Sequence, residues 1–174
     1  MLEIAPRIAG TMALHRVTGV NFPLLGIYEQ ERIPVSILVN TGHVEIERAL
    51  INRYRHDYQY SVVYVDLDDT LILNEKVNVE VVRLIYQSIN QGIPVKLVTR
   101  HGGDLYLILR KHRLQGLFDE VLHLTKDEDK AGFIPEPDAI FIDDSFSERR
   151  DVNSARGIRT FDSSMLEVLF DDRK

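Results

Sequence analysis

Three carboxylates, Asp66, Asp68 and Asp69, crowd the end of the apolar run VVYV in VVYVDLDDTLI (62–72). Val62, Val63, Tyr64 and Val65 are β-branched or aromatic and suit the middle of a sheet. Like charges gathered at the end of a buried strand repel one another and lose hydration, so something positive must neutralise them. A hard divalent cation can do this with oxygen ligands alone. Magnesium takes an octahedron of oxygens at about 2.0–2.1 Å and keeps several waters, so two or three protein oxygens suffice. Such an ion also neutralises a phosphoryl group brought beside it.

The elements that would position these carboxylates repeat along the chain from residue 61. Strands are expected at SVVYVD (61–66), VKLVT (95–99), EVLHL (120–124), AIFID (139–143) and IRTF (158–161). Helices are expected between them. The segment 77–90 places Val81, Val82, Ile85 and Ile89 on one side and stops at Gly92 and Pro94; 104–112 buries Leu105, Ile108 and Leu109; a short helix runs from Glu148 to Ala155; and 163–170 closes the chain. Strands alternating with helices predict an α/β, Rossmann-like three-layer fold with a mainly parallel five-stranded sheet. Right-handed crossovers bring the strands' C-terminal ends to one edge, where open α/β sheets bind ligands. Asp66, Thr99, Asp143 and Asp144 are all delivered to that edge, and an ion held by Asp66, Asp68 and Asp144 becomes possible there.

Bulk properties narrow the field. A chain of 174 residues suits one domain with a smaller piece attached. The absence of cysteine removes disulfides and thiolate metal sites and fits a reducing cytoplasm. A net charge of −6 argues against a broad nucleic-acid surface. No apolar run approaches the roughly 20 residues of a membrane span, and Glu3 and Arg7 interrupt what would be a signal peptide. Tyr54, Tyr58, Tyr60 and Tyr64 are unevenly spaced and read as packing rather than as a base-stacking platform.

DLDDT (66–70), Thr99, Lys130 and FIDDSFSE (141–148), in this order, resemble the four motifs of the haloacid dehalogenase superfamily, most of whose members are phosphatases. The resemblance covers residues 61 to about 170. It implies that Asp66 is a nucleophile forming an aspartyl-phosphate and ligating magnesium with its other oxygen. Asp68 would be the general acid and then the base, its backbone carbonyl a further metal ligand. Thr99 would hydrogen-bond a phosphoryl oxygen and Lys130 would neutralise the nucleophile, with Lys126 as its rival. Asp144 would be the acidic metal ligand, with Asp143 the second choice or an orienting group. Glu148 sits where some relatives have a further acid. Arg100 and His101 lie next to the site and read as members of an exposed loop.

Cap domains in that superfamily enter after the first motif or between the second and third. About thirty residues separate Asp66 from Thr99, filled by the helix at 77–90, and a similar gap to Lys130 holds one helix and one strand. That leaves no room for a cap, so the site should be open to a phosphorylated small molecule or a bulky substrate, or be shielded by a partner.

Residues 1–60 form a partial α+β segment, distinct from the domain at 61–174. MALHRVTG and FPLLGIYEQ read as helices and IPVSILVN as a strand. LEIAPRIAGTMALHRVTGVNFPLLGIYEQERIPV resembles the C-terminal end of an ATP-grasp domain, with Glu3 and Arg7 matching a metal- and phosphate-binding strand and Ala5 replacing its usual Asn. The resemblance implies either a polypeptide encoded upstream that completes the fold or a truncation. Apolar Ile8, Leu14, Phe22, Leu24 and Leu25 would then favour self-association into a homo-oligomer. The competing functional readings are a non-catalytic part of a split ligase and a phosphotransferase with an acceptor other than water.

Overall fold

The computed structural model describes residues 12, 14–15, 18–39, 43–44, 54 and 56–171. The chain divides into two compact units, Met1–Ile51 and Asn52–Lys174.

In the second unit, the five long apolar runs form one sheet. Strands β1 (Val62–Val65), β4 (Val95–Thr99), β5 (Glu120–His123), β6 (Ala139–Ile142) and β7 (Arg159–Phe161) lie in the order β5–β4–β1–β6–β7, and every pair is parallel. β1 is central, with Val63 opposite Val95 on one side and Ile140 on the other. The period of two splits its side chains between two cores. Val63 and Val65 pack with Val81, Leu84, Ile85 and Leu166, whereas Val62 and Tyr64 pack with Val98, Phe141, Val152 and Ile158. Both cores are closed, as a parallel sheet covered on two faces requires.

Between β1 and β4 the chain does more than cross over. Ile72–Leu73 (β2) and Lys76–Val77 (β3) pair antiparallel through Asn74 and Glu75, both at positive φ (47° and 60°). Positive φ at both central residues marks a two-residue hairpin turn that matches strand twist. The expected helix over 77–90 therefore starts two residues late, as α2 (Val79–Asn90), where the Asn78 side chain accepts from the Glu80 N–H. Its inward stripe is Val81, Leu84, Ile85 and Ser88. Ile89, expected inward, is 41% exposed because it falls past the edge of the i, i+3, i+4, i+7 stripe. Gly92 then takes φ +71°, the left-handed conformation that ends a helix without a Cβ penalty.

Helix α3 (Leu105–Lys111) buries Leu105 and Leu109, with Ile108 half-buried. Lys130–Phe133 is one 3-10 turn, capped by the Asp129 side chain. Helix α4 (Phe146–Arg156) is longer than expected and starts at the cap residue Ser145. Residues 163–170, expected as an α-helix, instead form the 3-10 segment Ser163–Val168, capped by Asp162.

In the first unit, helix α1 (Phe22–Gln30) forms over FPLLGIYEQ as expected, with Asn21 capping the Leu24 N–H and Pro23 in the first turn. No residue of α1 is buried. The strand expected over IPVSILVN is not formed at 33–39, which is irregular and exposed. Alternating apolar residues make a strand only where a neighbouring backbone supplies the ladder, and none pairs with them among the described residues. Glu3, Ala5, Arg7 and Ile8 lie outside the described residues.

Candidate active site

Because β4, β1 and β6 are adjacent and parallel, the residues following their C-terminal ends meet. Asp66 follows β1, Thr99 ends β4, and Asp143 and Asp144 follow β6. The Asp66 N–H continues the ladder to the Ile142 carbonyl at 2.9 Å, which fixes the first carboxylate beside the acidic pair.

Lys130 joins them. Its Nζ donates at 2.7 Å to Asp66 Oδ1 and at 2.7 Å to Asp143 Oδ2. All three groups are buried, Asp66 at 5%, Lys130 at 4% and Asp143 at 1% exposure. Burial pushes the Asp66 carboxyl up to about 6, with Asp143 adding repulsion and Lys130 pulling the other way. The Asp143 carboxyl is likewise raised by burial, against the pull of Lys130. Burial also disfavours the Lys130 ammonium, but the two carboxylates overcome this and hold its proton above the ordinary lysine value. Lys126, the alternative lysine, is exposed.

Asp144 stands at the rim, exposed. Its Oδ1 accepts from Thr70 Oγ1 at 3.1 Å, and its N–H donates to the same hydroxyl oxygen at 2.9 Å. Thr70 is fully buried and locks the loop after β1 to the loop after β6. Arg149 fastens the second loop from behind, its Nη1 donating to the Asp143 and Asp144 carbonyls at 2.6 Å each and to Asp162 at 3.1 Å.

Among the described residues, the carboxylates that converge are those of Asp66, Asp143 and Asp144, with one oxygen from each within 4.8 Å of the others. Opposite ligands of a magnesium octahedron stand about 4.2 Å apart, twice the bond length of about 2.1 Å. The three oxygens are therefore gathered on the scale of one such coordination sphere. Three carboxylates against one lysine also leave negative charge uncompensated, so the oxygen set fits a hard divalent cation. Both members of the acidic pair are at the site, Asp143 bound to lysine and Asp144 facing outward.

Asp68 and Asp69 diverge from that cluster. Asp69 has φ 56° and donates its N–H to the Ile72 carbonyl at 2.9 Å, so the third carboxylate of the opening stretch is a turn former. The Asp68 carboxylate meets His101 Nδ1 at 2.9 and 3.0 Å. Thr99 is buried, and its Oγ1 accepts the His101 N–H at 3.2 Å, which leaves its own proton to donate toward the site.

In the loop after β4, expected to be exposed, Gly102, Gly103 and Asp104 are exposed, whereas Arg100 and His101 are half-buried. Arg100 donates from Nε to the Glu128 carbonyl at 2.8 Å and from Nη1 to Glu148 at 2.6 Å. Glu148 is therefore engaged by an arginine. Thr70, Arg149 and His101 are the polar residues whose contacts the sequence reading did not assign. Thr70 lay inside DLDDT, but nothing local signals a partner 74 residues away.

No protein-family model matches the chain, and no curated protein does either. Among solved structures, it is similar to an uncharacterized protein from Corynebacterium glutamicum at 20% identity and a TM-score of 0.45, covering 59% of this chain and 84% of that one. It is similar to the core domain of a candidate phosphoglycolate phosphatase from Streptococcus pneumoniae at 16% identity and a TM-score of 0.45, covering 67% and 84%. It is also similar to a HAD-superfamily hydrolase from Ehrlichia chaffeensis at 16% identity and a TM-score of 0.43, covering 59% and 61%. The comparisons lend no support to the ATP-grasp resemblance of residues 1–40. No helix of the described residues is long and apolar enough to cross a membrane.

Proposed function

We propose that this chain is a magnesium-dependent phosphohydrolase that acts through an aspartyl-phosphate on Asp66. One observation carries the reading: Asp66, Asp143 and Asp144 converge at a single sheet edge around a buried lysine. Asp66, Asp143 and Asp144 would hold the ion, with the Asp68 backbone carbonyl as a further oxygen; when bound, it supplies positive charge to the phosphoryl oxygens.

The remaining steps belong to the chain's own groups. An Asp66 oxygen attacks phosphorus, its bond to phosphorus forming as the ester P–O bond breaks. Asp68 gives its proton to the departing oxygen, so an alcohol leaves rather than an alkoxide. Lys130 holds Asp66 in place and offsets charge on the phosphoryl group, and Thr99 donates its hydroxyl proton to a phosphoryl oxygen. Water then attacks the aspartyl-phosphate, Asp68 takes a proton back, and inorganic phosphate and the Asp66 carboxylate are regenerated. No separate domain is inserted at 67–94 or 100–129, where the described elements are one hairpin, two helices and one strand. The open rim suits a phosphorylated small molecule or a bulkier phosphoester.

The test is hydrolysis of p-nitrophenyl phosphate and of an alkyl phosphate, with magnesium and with EDTA, alongside Asp66→Asn and Asp68→Asn. Magnesium-dependent release, abolished in Asp66→Asn and cut about 10²–10⁴-fold in Asp68→Asn on poor leaving groups, is expected. Undiminished turnover in Asp66→Asn would remove the nucleophile and the proposal with it.

A further inference from the structure

Asp68 is exposed, with 51% of its side chain accessible. A free carboxylate of that exposure samples several rotamers, and each orientation away from the leaving oxygen is lost catalysis. The loop after β4 removes this freedom. His101 Nδ1 sits 2.9 and 3.0 Å from the two Asp68 oxygens, 33 residues away in sequence.

The histidine is itself held on three sides. Its backbone N–H donates to the Thr99 hydroxyl oxygen at 3.2 Å. Its carbonyl lies 2.8 Å from His123 Nε2 on β5; a carbonyl only accepts, so that nitrogen carries the proton. Its ring occupies space left by a glycine, since a Cβ at Gly103 would lie 3.0 Å from His101 Nε2. Gly103 is not at positive φ, so its contribution is that space rather than backbone freedom.

We infer that His101 is the positioning residue for Asp68, aiming the proton donor at the leaving oxygen, with Gly103 leaving room for the imidazole and His123 fixing the His101 backbone. The inference rests on the phosphohydrolase reading above and adds to it a residue outside the four motifs. Nδ1 lies almost equally close to both Asp68 oxygens, so the contact fixes the carboxyl group as a whole, and either oxygen can carry the proton toward the ester. The pairing crosses from the loop after β4 to the loop after β1, so it also ties the proton donor to the strand that carries Thr99.

A misaimed general acid hurts poor leaving groups most, because a good one departs without a proton. The experiment compares kcat for an alkyl phosphate with kcat for p-nitrophenyl phosphate, under magnesium, in wild type, His101→Ala, His101→Asn and Gly103→Ala. His101→Ala is expected to lose about ten-fold more on the alkyl ester than on the aryl ester. Asn places its amide nitrogen where Nδ1 stood, so His101→Asn should bring the ratio back to within about three-fold of wild type. Gly103→Ala should move the ratio in the same direction as His101→Ala without touching the histidine, and serves if His101→Ala does not fold. An equal loss on both esters in His101→Ala, or an unchanged ratio in all variants of an active enzyme, overturns the positioning role. Absence of turnover by wild type on either ester would instead overturn the phosphohydrolase reading.

Discussion

The two halves of the candidate site are built in opposite ways. Asp66, Lys130 and Asp143 are almost completely buried, both carboxylates accepting from the lysine at 2.7 Å, whereas Asp68 and Asp144, a few residues away, face water. The buried half gains electrostatic strength from its low-dielectric surroundings, and the same surroundings make each charge there depend on its partners. The exposed half depends on hydrogen bonds from neighbouring loops: Thr70 to Asp144 and His101 to Asp68. The groups that must hold charge in a fixed place are sequestered, and the group that must exchange protons with a leaving alcohol and with water stays wet.

The sharpest way to break this comparison is to remove the lysine. Lys130→Met leaves Asp66 and Asp143 buried without a cation, and breaking a buried pair in this manner costs about 3–5 kcal/mol. Urea unfolding at neutral pH in EDTA should register that loss. Asp68→Asn, the matching change in the exposed half, should shift stability by no more than about 0.5 kcal/mol while removing most activity on alkyl esters. Equal destabilisation by the two substitutions would erase the distinction.

Next in size is a pH effect confined to the buried half. A carboxyl whose folded value lies above its unfolded one binds its proton more tightly in the native state. Folding stability must then fall as pH rises from the ordinary 3.8 through the folded value of about 6 for Asp66. A displacement of roughly two units corresponds to about 3 kcal/mol at most, and Asp143, raised in the same direction, adds to the slope. In EDTA, the thermal midpoint should decline across that window. Excess magnesium should reverse the decline above about pH 6, where ionised Asp66 can bind it, and Asp66→Asn should flatten it. A midpoint that rises steadily from pH 4 to 6 in EDTA would contradict the burial argument.

The sequence makes some of this architecture readable and hides the rest for physical reasons. Five strand-like apolar runs, four of them followed by a helical period, leave little choice but a parallel sheet, and Asp66, Thr99 and Asp143 reach its edge by topology alone. The 72–77 hairpin escapes notice because its strands are two residues long and its turn is Asn-Glu, without the glycine that usually marks such turns. Thr70, His101 and Arg149 look like ordinary loop or helix residues; their partners are fixed only once loops distant in sequence are brought together. IPVSILV carries a strand-like pattern that no backbone neighbour among the described residues completes.

That hairpin supplies the smallest and most local test, because it continues the loop on which Asp68 sits. Glu75 holds φ 60°, a conformation costing an L-residue about 1 kcal/mol that glycine adopts freely. Its side chain gives little back: its contact with Lys111 is 3.8 Å long and the carboxylate is 86% exposed, so the ion pair is strongly screened. Glu75→Gly creates the Asn-Gly pair preferred in this turn and should raise stability by about 0.5–1 kcal/mol, less the greater freedom glycine gives the unfolded chain. Because Asp68 is held by His101 rather than by the turn, the rate on alkyl esters should stay within about two-fold of wild type, a rate ratio worth less than 1 kcal/mol. A stabilised variant with a disturbed alkyl-to-aryl ratio would place control of Asp68 in the hairpin instead of in the loop after β4.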